Sequence, residues 1–275
     1  MKAVEYDSSK KISLFKVVTS LYFDKDLVFL LVKRDLVSRY RRSVLGIAWS
    51  LVTPMAMAGV LYFVLSTVFK ARLPGGSGYA AFLMSGLILS NLLNQGANSV
   101  GFSYSANAGV ITKIRTHVLM FPIVSILSSF VNFLLGIIPL ILFLILENKT
   151  LKFSLIAIPI IGVCTSILIL GIGLHVASLA ARYQDIHGIM SVFYNILGYA
   201  TPIIYPLSIT KGLVREILSL NPFTNYVELI RACAIDSTYM PSYGLIAYTL
   251  ILTLIVFTTG VSRLRKNYPS IIEAL

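Results

Sequence analysis

Carboxylates are scarce in this chain. Asp and Glu number 11 among 275 residues, against 23 Lys and Arg, and charged side chains of both signs make up 12%. A soluble domain carries about one quarter, so there is too little charge here to solvate an ordinary globular surface. Six stretches have cores with no Asp, Glu, Lys or Arg at all: 44–69, 79–104, 121–146, 153–180, 188–207 and 243–262. A bilayer core takes about 20 apolar residues per helix. With 57% hydrophobic residues and a mean hydropathy of +0.85, the composition predicts an all-α polytopic membrane protein with six transmembrane helices. The strands of a transmembrane barrel would be shorter and would alternate.

Other absences narrow the chemistry. There is no G-x-x-x-x-G-K-[ST] sequence, so no phosphate-binding loop of the nucleotide hydrolases. No predicted span holds a carboxylate, the group a proton- or sodium-coupled transporter uses near the midplane. His117, His175 and His187 stand apart, with no cysteine or second histidine at ligand spacing, which predicts no metal site. No nucleophile lies beside a base. The two cysteines, Cys164 and Cys233, differ in depth and read as free packed thiols. Residues 1–26 are too charged for a signal peptide.

What is present is concentrated. Residues 1–43 hold ten of the 23 basic side chains: Lys2, Lys10, Lys11, Lys16, Lys25, Lys33, Arg34, Arg39, Arg41 and Arg42. By the positive-inside rule this places the N-terminus, and with six spans the C-terminus too, in the cytoplasm. The +12 net charge calls for no nucleic acid; an anionic lipid surface is its ordinary partner. Phe29, Val32, Leu36 and Tyr40 recur at helical spacing, with Arg34, Ser38, Arg41 and Arg42 opposite. This predicts an amphipathic interface helix ahead of the first span, either as a plain anchor or as a dock for a cytoplasmic partner.

Within the spans, the second has an unusual end: Asn91, Asn94, Gln95, Asn98, Ser99, Ser103, Ser105 and Asn107. Such residues serve close helix packing or line a wet path. Trp49 and Phe63 share a helical face about 21 Å apart, and Tyr194 and Tyr205 another about 16 Å apart. Aromatic faces stack on sugar rings, so these four are candidates for a substrate channel; the alternative is the aromatic belt of the interface. Between the last two spans, residues 207–242 are too polar for a span. Asn221-Pro222 signals a helix start, and Asn225 with Glu228 a second. Re-entrant or amphipathic helices are predicted there, with Asn221, Pro222, Tyr226 and Glu228 as the candidate gate.

Five stretches together carry a family resemblance: SRYRRSVLGIAWSLVTPM (38–55), ITKIRTHVLMFPI (111–123), ARYQDIHGI (181–189), TPIIYP (201–206) and LNPFTNYVELIRA (220–232). In this order the chain resembles the ABC-2 type permeases that export polysaccharides and lipid-linked glycans such as O-antigen, capsule and teichoic acid. The resemblance implies a transport subunit of the bacterial inner membrane, not an enzyme. It implies a homodimer driven by a separate nucleotide-binding (ATPase) subunit that holds the ATP and Mg, so no cofactor in this chain. It implies coupling to that subunit through Tyr40, Lys113, Arg115, Arg182 and Asp185. Arg34, Arg39, Arg41 and Arg42 become candidates to receive the pyrophosphate of a lipid-linked glycan. The organisation expected is a cytoplasmic N-terminus (1–43), a six-helix membrane domain (44–262) with its periplasmic gate segment (207–242), and a cytoplasmic tail (263–275). A permease for another lipid or a drug, and a membrane-embedded glycosyl- or acyltransferase, are the alternatives.

Overall fold

The computed structural model describes residues 24–40, 43, 45–70, 78–111, 117, 119–180, 183 and 185–273. Among them every regular element is helical. The helices are α1 (Lys25–Tyr40), α2 (Trp49–Phe63), α3 (Tyr79–Gly101), α4 (Ser103–Ala106), α5 (Ala108–Ile111), α6 (Met120–Leu146), α7 (Ala157–Ala180), α8 (Ile186–Tyr199), α9 (Gly212–Leu220), α10 (Pro222–Ala234) and α11 (Tyr243–Glu273).

Among the described residues, four helical stretches are long and apolar enough to cross a membrane: Gly46–Val68, Met120–Leu146, Phe153–Ala180 and Tyr243–Tyr268. They correspond to the first, third, fourth and sixth predicted spans. The second, α3, has 23 residues and an axial length of about 34 Å. Its length is sufficient; its asparagines and glutamine make it less apolar than the other four. The fifth falls short of its predicted length. Predicted over 188–207, it is a helix of 14 residues, about 21 Å, followed by non-helical chain. Pro202 disfavours helical backbone at Thr201, and α8 ends just before that pair.

The packing explains why α3 is polar. It is the most enclosed helix of the bundle, flanked by α2, α6, α7, α8 and α10. Surrounded by protein instead of lipid, it hydrogen-bonds its polar groups internally: Ser99 Oγ lies 3.2 Å from Ser129 Oγ of α6. The most extensive pairing joins α7 and α11. There Gly171 and Gly260 let two backbones meet; a Cβ on Gly171 would lie 2.7 Å from the Phe257 nitrogen. Small residues at a crossing allow the dispersion contacts that hold helices together where no hydrophobic drive operates. His175 Nε2 and Thr259 Oγ1 add a contact of 3.1 Å across the same pair.

A helix forms where the interface helix was predicted, and its packed side follows the predicted stripe only in part. The side turned to the bundle takes in Leu27, Val28, Leu31, Val32, Asp35 and Leu36, with Leu31 buried, and α1 packs on α6. Phe29, from the predicted stripe, is 70% exposed, as are Leu30 and Val37 on other faces by more than half. Apolar residues occur all round α1, so periodicity alone did not single out the packed side. Between α1 and α2 the chain turns at Gly46, whose φ of +50° is a left-handed conformation that glycine adopts without strain. The Gly46 N–H donates to Ser43 Oγ at 3.1 Å.

Candidate functional site

The polar end of α3 meets the arginine helix. Arg34 donates through Nη2 to Asn107 Oδ1 at 2.6 Å and pairs with its neighbour Asp35 at 2.8 Å. Arg39 donates to Gln95 Oε1 at 2.8 Å, and Asn132 Nδ2 of α6 reaches the same oxygen at 3.3 Å. The arginines were expected to face water and phosphate. These two instead reach amide oxygens of the bundle, because the rotation of α1 turns them toward α3. Arg41 and Arg42 lie outside the described residues, as do Lys113, Arg115 and Arg182 and the side chain of Tyr40. Asp185 is described, exposed at the head of α8.

Above the Arg39–Gln95 contact is a cavity of about 210 Å³. Its wall combines Arg39, the indole of Trp49, the hydroxyl residues Ser50, Thr53 and Ser129, and the amides Asn91, Gln95 and Asn132. Pro54, Ile88, Leu92 and Phe133 form its apolar side. The polar residues of α3 therefore divide between two duties. Ser99 joins helices, while Asn91 and Gln95 face the cavity. Chemically the wall offers one guanidinium for an anion, one aromatic face for a sugar or other flat apolar surface, and amides for hydroxyls.

The four aromatics do not form two matched faces. Trp49 lines the cavity, and Phe63 sits 14 residues along α2, exposed on its surface. Tyr194 is fully buried against Phe193. Tyr205 lies beyond the end of α8, so the helical face assumed for Tyr194 and Tyr205 does not exist. The reason is again the helix stop ahead of Pro202.

The opposite end of α3 carries a second polar cluster. Residues 207–242 form α9, α10 and short 3₁₀ turns. Asn221 caps α10 by accepting the Phe223 N–H at 3.0 Å, with Pro222 in the first turn, as the sequence predicts. The second predicted start is absent. Asn225 is inside α10, where Nδ2 donates to Ser219 O at 3.0 Å and to Thr249 Oγ1 at 2.9 Å. Glu228 does not serve a capping box; it accepts from Arg231 Nη1 at 2.7 Å. Tyr226 is buried, and its hydroxyl lies 2.8 Å from Thr253 Oγ1 of α11.

Arg231, absent from the sequence-derived candidates, organises this end. Its side chain is wholly buried. Besides Glu228 it donates through Nη2 to the Ile203 carbonyl at 2.8 Å, and its Cζ sits 3.5 Å from the centre of the Phe82 ring of α3. Tyr79 OH donates to the Ile204 carbonyl at 3.0 Å. Two consecutive carbonyls of the non-helical stretch after α8 are thus tied to α10 and α3. Burial pushes the Glu228 carboxyl up from its ordinary value, and the guanidinium beside it opposes that shift. Glu147 accepts from the Ala80 and Ala81 N–H groups at 2.9 and 3.1 Å, placing an anion at the positive end of α3. The sequence signal for Arg231 was its isolation: one arginine on the apolar face of an otherwise buried helix, three residues after a glutamate.

Cys164 and Cys233 are both free. Among the described residues no group of His, Cys, Asp and Glu forms a metal site.

Comparison with known proteins agrees with this architecture. The family model described as ABC-2 type transporter matches residues 26–235. Two relatives from Klebsiella pneumoniae, each called O-antigen export system permease protein RfbA, are 25% and 28% identical. The first aligns over 249 residues, 90% of this chain and 95% of its own; the second over 203 residues, 74% and 77%. A relative of the same name from Myxococcus xanthus is 25% identical over 226 residues, 80% of this chain and 84% of its own. The matched region runs from the arginine helix to the end of α10 and includes both polar clusters of α3: this chain belongs to the ABC-2 type transporter family.

Proposed function

We propose that this chain is the membrane subunit of an ATP-driven exporter of a lipid-linked polysaccharide, working in the bacterial cytoplasmic membrane as a homodimer with a separate ATPase subunit. The observation that carries the reading is the cavity in which Arg39, Trp49 and three amides converge. A lipid-linked glycan presents a diphosphate and then sugars. A guanidinium binds phosphate through a fork of N–H donors, an aromatic face stacks on a sugar, and amides meet hydroxyls. The names of the curated relatives support the same cargo.

In this proposal both termini are cytoplasmic and six helical segments serve the membrane domain. Arg34, Arg39, Arg41 and Arg42 form the entry zone for the diphosphate. Tyr40, Lys113, Arg115, Arg182 and Asp185 receive force from the ATPase subunit. The Asn221–Glu228 region acts as the far-side gate. The helix α3 is the natural connection between entry and gate. At one end Gln95 bonds it to Arg39 of α1, and beyond that end Asn107, between α4 and α5, bonds to Arg34. At the other it carries Tyr79 and Phe82 against the stretch held by Arg231. A push on α1 by the partner is passed along a helix about 34 Å long to the carbonyls of Ile203 and Ile204.

The test is export in cells carrying the ATPase partner. Arg39→Ala removes a charge-assisted contact worth about 1.5–3 kcal/mol, so export falls about 10- to 100-fold. Arg39→Lys keeps the charge and loses the fork, giving an intermediate value. Trp49→Ala reduces export while the chain still inserts and co-purifies with the ATPase. Full polymer export by both alanine variants would refute the site. Unchanged surface glycan on deletion of the chain would refute the cargo and favour another lipid or a drug.

A further inference from the structure

Arg34 and Arg39 stand five residues apart on α1, about 7.5 Å along its axis, and their guanidinium groups are held differently. Arg34 meets a carboxylate: Asp35 Oδ1 accepts from it at 2.8 Å, and Asn107 Oδ1 accepts at 2.6 Å. Arg39 meets no carboxylate among the described residues. Its acceptor is a neutral amide oxygen, Gln95 Oε1, reached through Nη1 at 2.8 Å. Both partners are exposed, and both line the cavity. A cation at the wall of a polar cavity is therefore satisfied by the wall itself.

Gln95 is suited to give this bond up. Its oxygen also accepts from Asn132 Nδ2 of α6 at 3.3 Å, so withdrawal of Arg39 leaves it with a donor. The guanidinium gains by an exchange for phosphate, which takes two parallel N–H groups and adds the attraction of opposite charge. At Arg34 that gain is smaller, because Asp35 already balances the charge. Arg39 is also the last but one residue of α1. Its bond ties the final turn of the helix to α3, while buried Leu31 and the Arg34–Asn107 contact hold the turns before it. Loss of the one bond frees a turn, not the helix. Beyond that turn the chain passes through Gly46 to Trp49, which lines the same cavity.

We infer that Gln95 is a built-in competitor for the Arg39 guanidinium, that an incoming diphosphate displaces it, and that the exchange releases the last turn of α1 from α3. The inference rests on the reading of the cavity as the diphosphate site and adds how loading is sensed. An empty cavity keeps the end of α1 fastened; an occupied one unfastens it. The Arg34–Asn107 contact persists, so α1 stays joined to the bundle and can still pass on a push. Gln95 also sets a threshold, because apparent affinity is reduced by the fraction of time Arg39 is held by its own wall.

Trp49 is the one tryptophan of the chain and lines the cavity, so its fluorescence reports binding without a label. The purified full chain in phosphatidylcholine nanodiscs is titrated with farnesyl diphosphate. A hydrogen bond of ordinary net strength masks Arg39 by about 3- to 14-fold. Gln95→Leu and the shorter Gln95→Asn should each bind more tightly by that factor. Gln95→Glu, which offers Arg39 a carboxylate, should bind more weakly than wild type. Arg39→Ala should bind about 10- to 100-fold more weakly, and adding Gln95→Leu to it should change nothing further. Amide exchange across residues 36–40 should rise when ligand is added to wild type, and should already be raised in Gln95→Leu without ligand. Suppose neither Gln95→Leu nor Gln95→Asn binds more tightly than wild type while Arg39→Ala remains impaired. The competitor role is then overturned, Gln95 is an ordinary contact, and the diphosphate site still stands. Tightening that persists without Arg39, or amide exchange that ligand does not alter, would overturn the inference as well. Equal binding by wild type and Arg39→Ala, or none by wild type, would refute the site and the inference with it.

Discussion

Replacing Arg231 should be among the most damaging single changes in this chain. Arg231→Met keeps much of the side-chain volume and removes the guanidinium. Glu228, itself buried, then has no counter-charge, and the Ile203 carbonyl loses its donor. Removing one member of a buried ion pair costs about 3–5 kcal/mol, and an orphaned buried carbonyl about 1–3 kcal/mol. These overlap because the same side chain supplies both, and protonation of Glu228 caps the first. The raised tendency of Glu228 to hold a proton works in that direction. The expected loss is about 3–5 kcal/mol. At about 2–4 °C per kcal/mol for a chain of this size, the melting temperature falls by about 6–20 °C. The assay is thermal unfolding in detergent of four proteins: wild type, Arg231→Met, Glu228→Gln and the double variant. The double variant leaves no buried charge unpaired and should recover most of the loss. If Arg231→Met shifts melting by less than about 2 °C, or the double variant is no more stable than Arg231→Met alone, Arg231 does not hold this end of the bundle.

Two glycines should respond oppositely to alanine. At Gly171 the new Cβ meets the Phe257 backbone at 2.7 and 2.8 Å, so α7 and α11 must separate, at a cost of about 1–3 kcal/mol. At Gly59 of α2 nothing lies within 4 Å, and alanine should gain up to about 1 kcal/mol of helix propensity; thermal unfolding of the two variants checks both signs. Gly46→Ala meets no neighbour but must hold a left-handed backbone, costing about 1–2 kcal/mol, with Gly46→Asn closer to wild type in the same assay. Acidification should loosen the start of α6 through His117. Its Nδ1 accepts the Leu119 N–H at 3.2 Å. Burial first, and then Arg265, lower its pKa below the ordinary 6.5, with Asp24 opposing. A lowered folded pKa means the stabilisation is present above 6.5 and is lost as pH falls through the lowered value. The melting temperature of wild type should therefore drop over that interval more than that of His117→Gln.

Much of the molecule was legible from residue order because the relevant physics is local or one-dimensional. Charge-free runs located the four helical stretches that are long and apolar enough to cross a membrane, since transfer of each side chain into lipid is nearly independent of its neighbours. The Asn221-Pro222 pair located the start of α10 because a cap uses only the next turn. The five family stretches identified the transporter class. What failed was direction. Apolar residues on several sides of α1 gave competing stripes, and packing on α6 selected one of them. The aromatic pair Tyr194 and Tyr205 was read along a helix that stops between them. Arg231 was not among the candidates, because its partners Phe82 and Ile203 are remote in the chain.

Sequence alone therefore determined that this is a helical membrane protein of the ABC-2 type, because lipid partitioning, capping and motif order are properties of short segments. Only the tertiary structure decided which way those segments turn. It brought Arg39 to Gln95 and Trp49, and closed Arg231 between α3, α10 and the carbonyl of Ile203. The reason is physical: a buried polar group must find its partner, and which group is near enough depends on how whole helices pack.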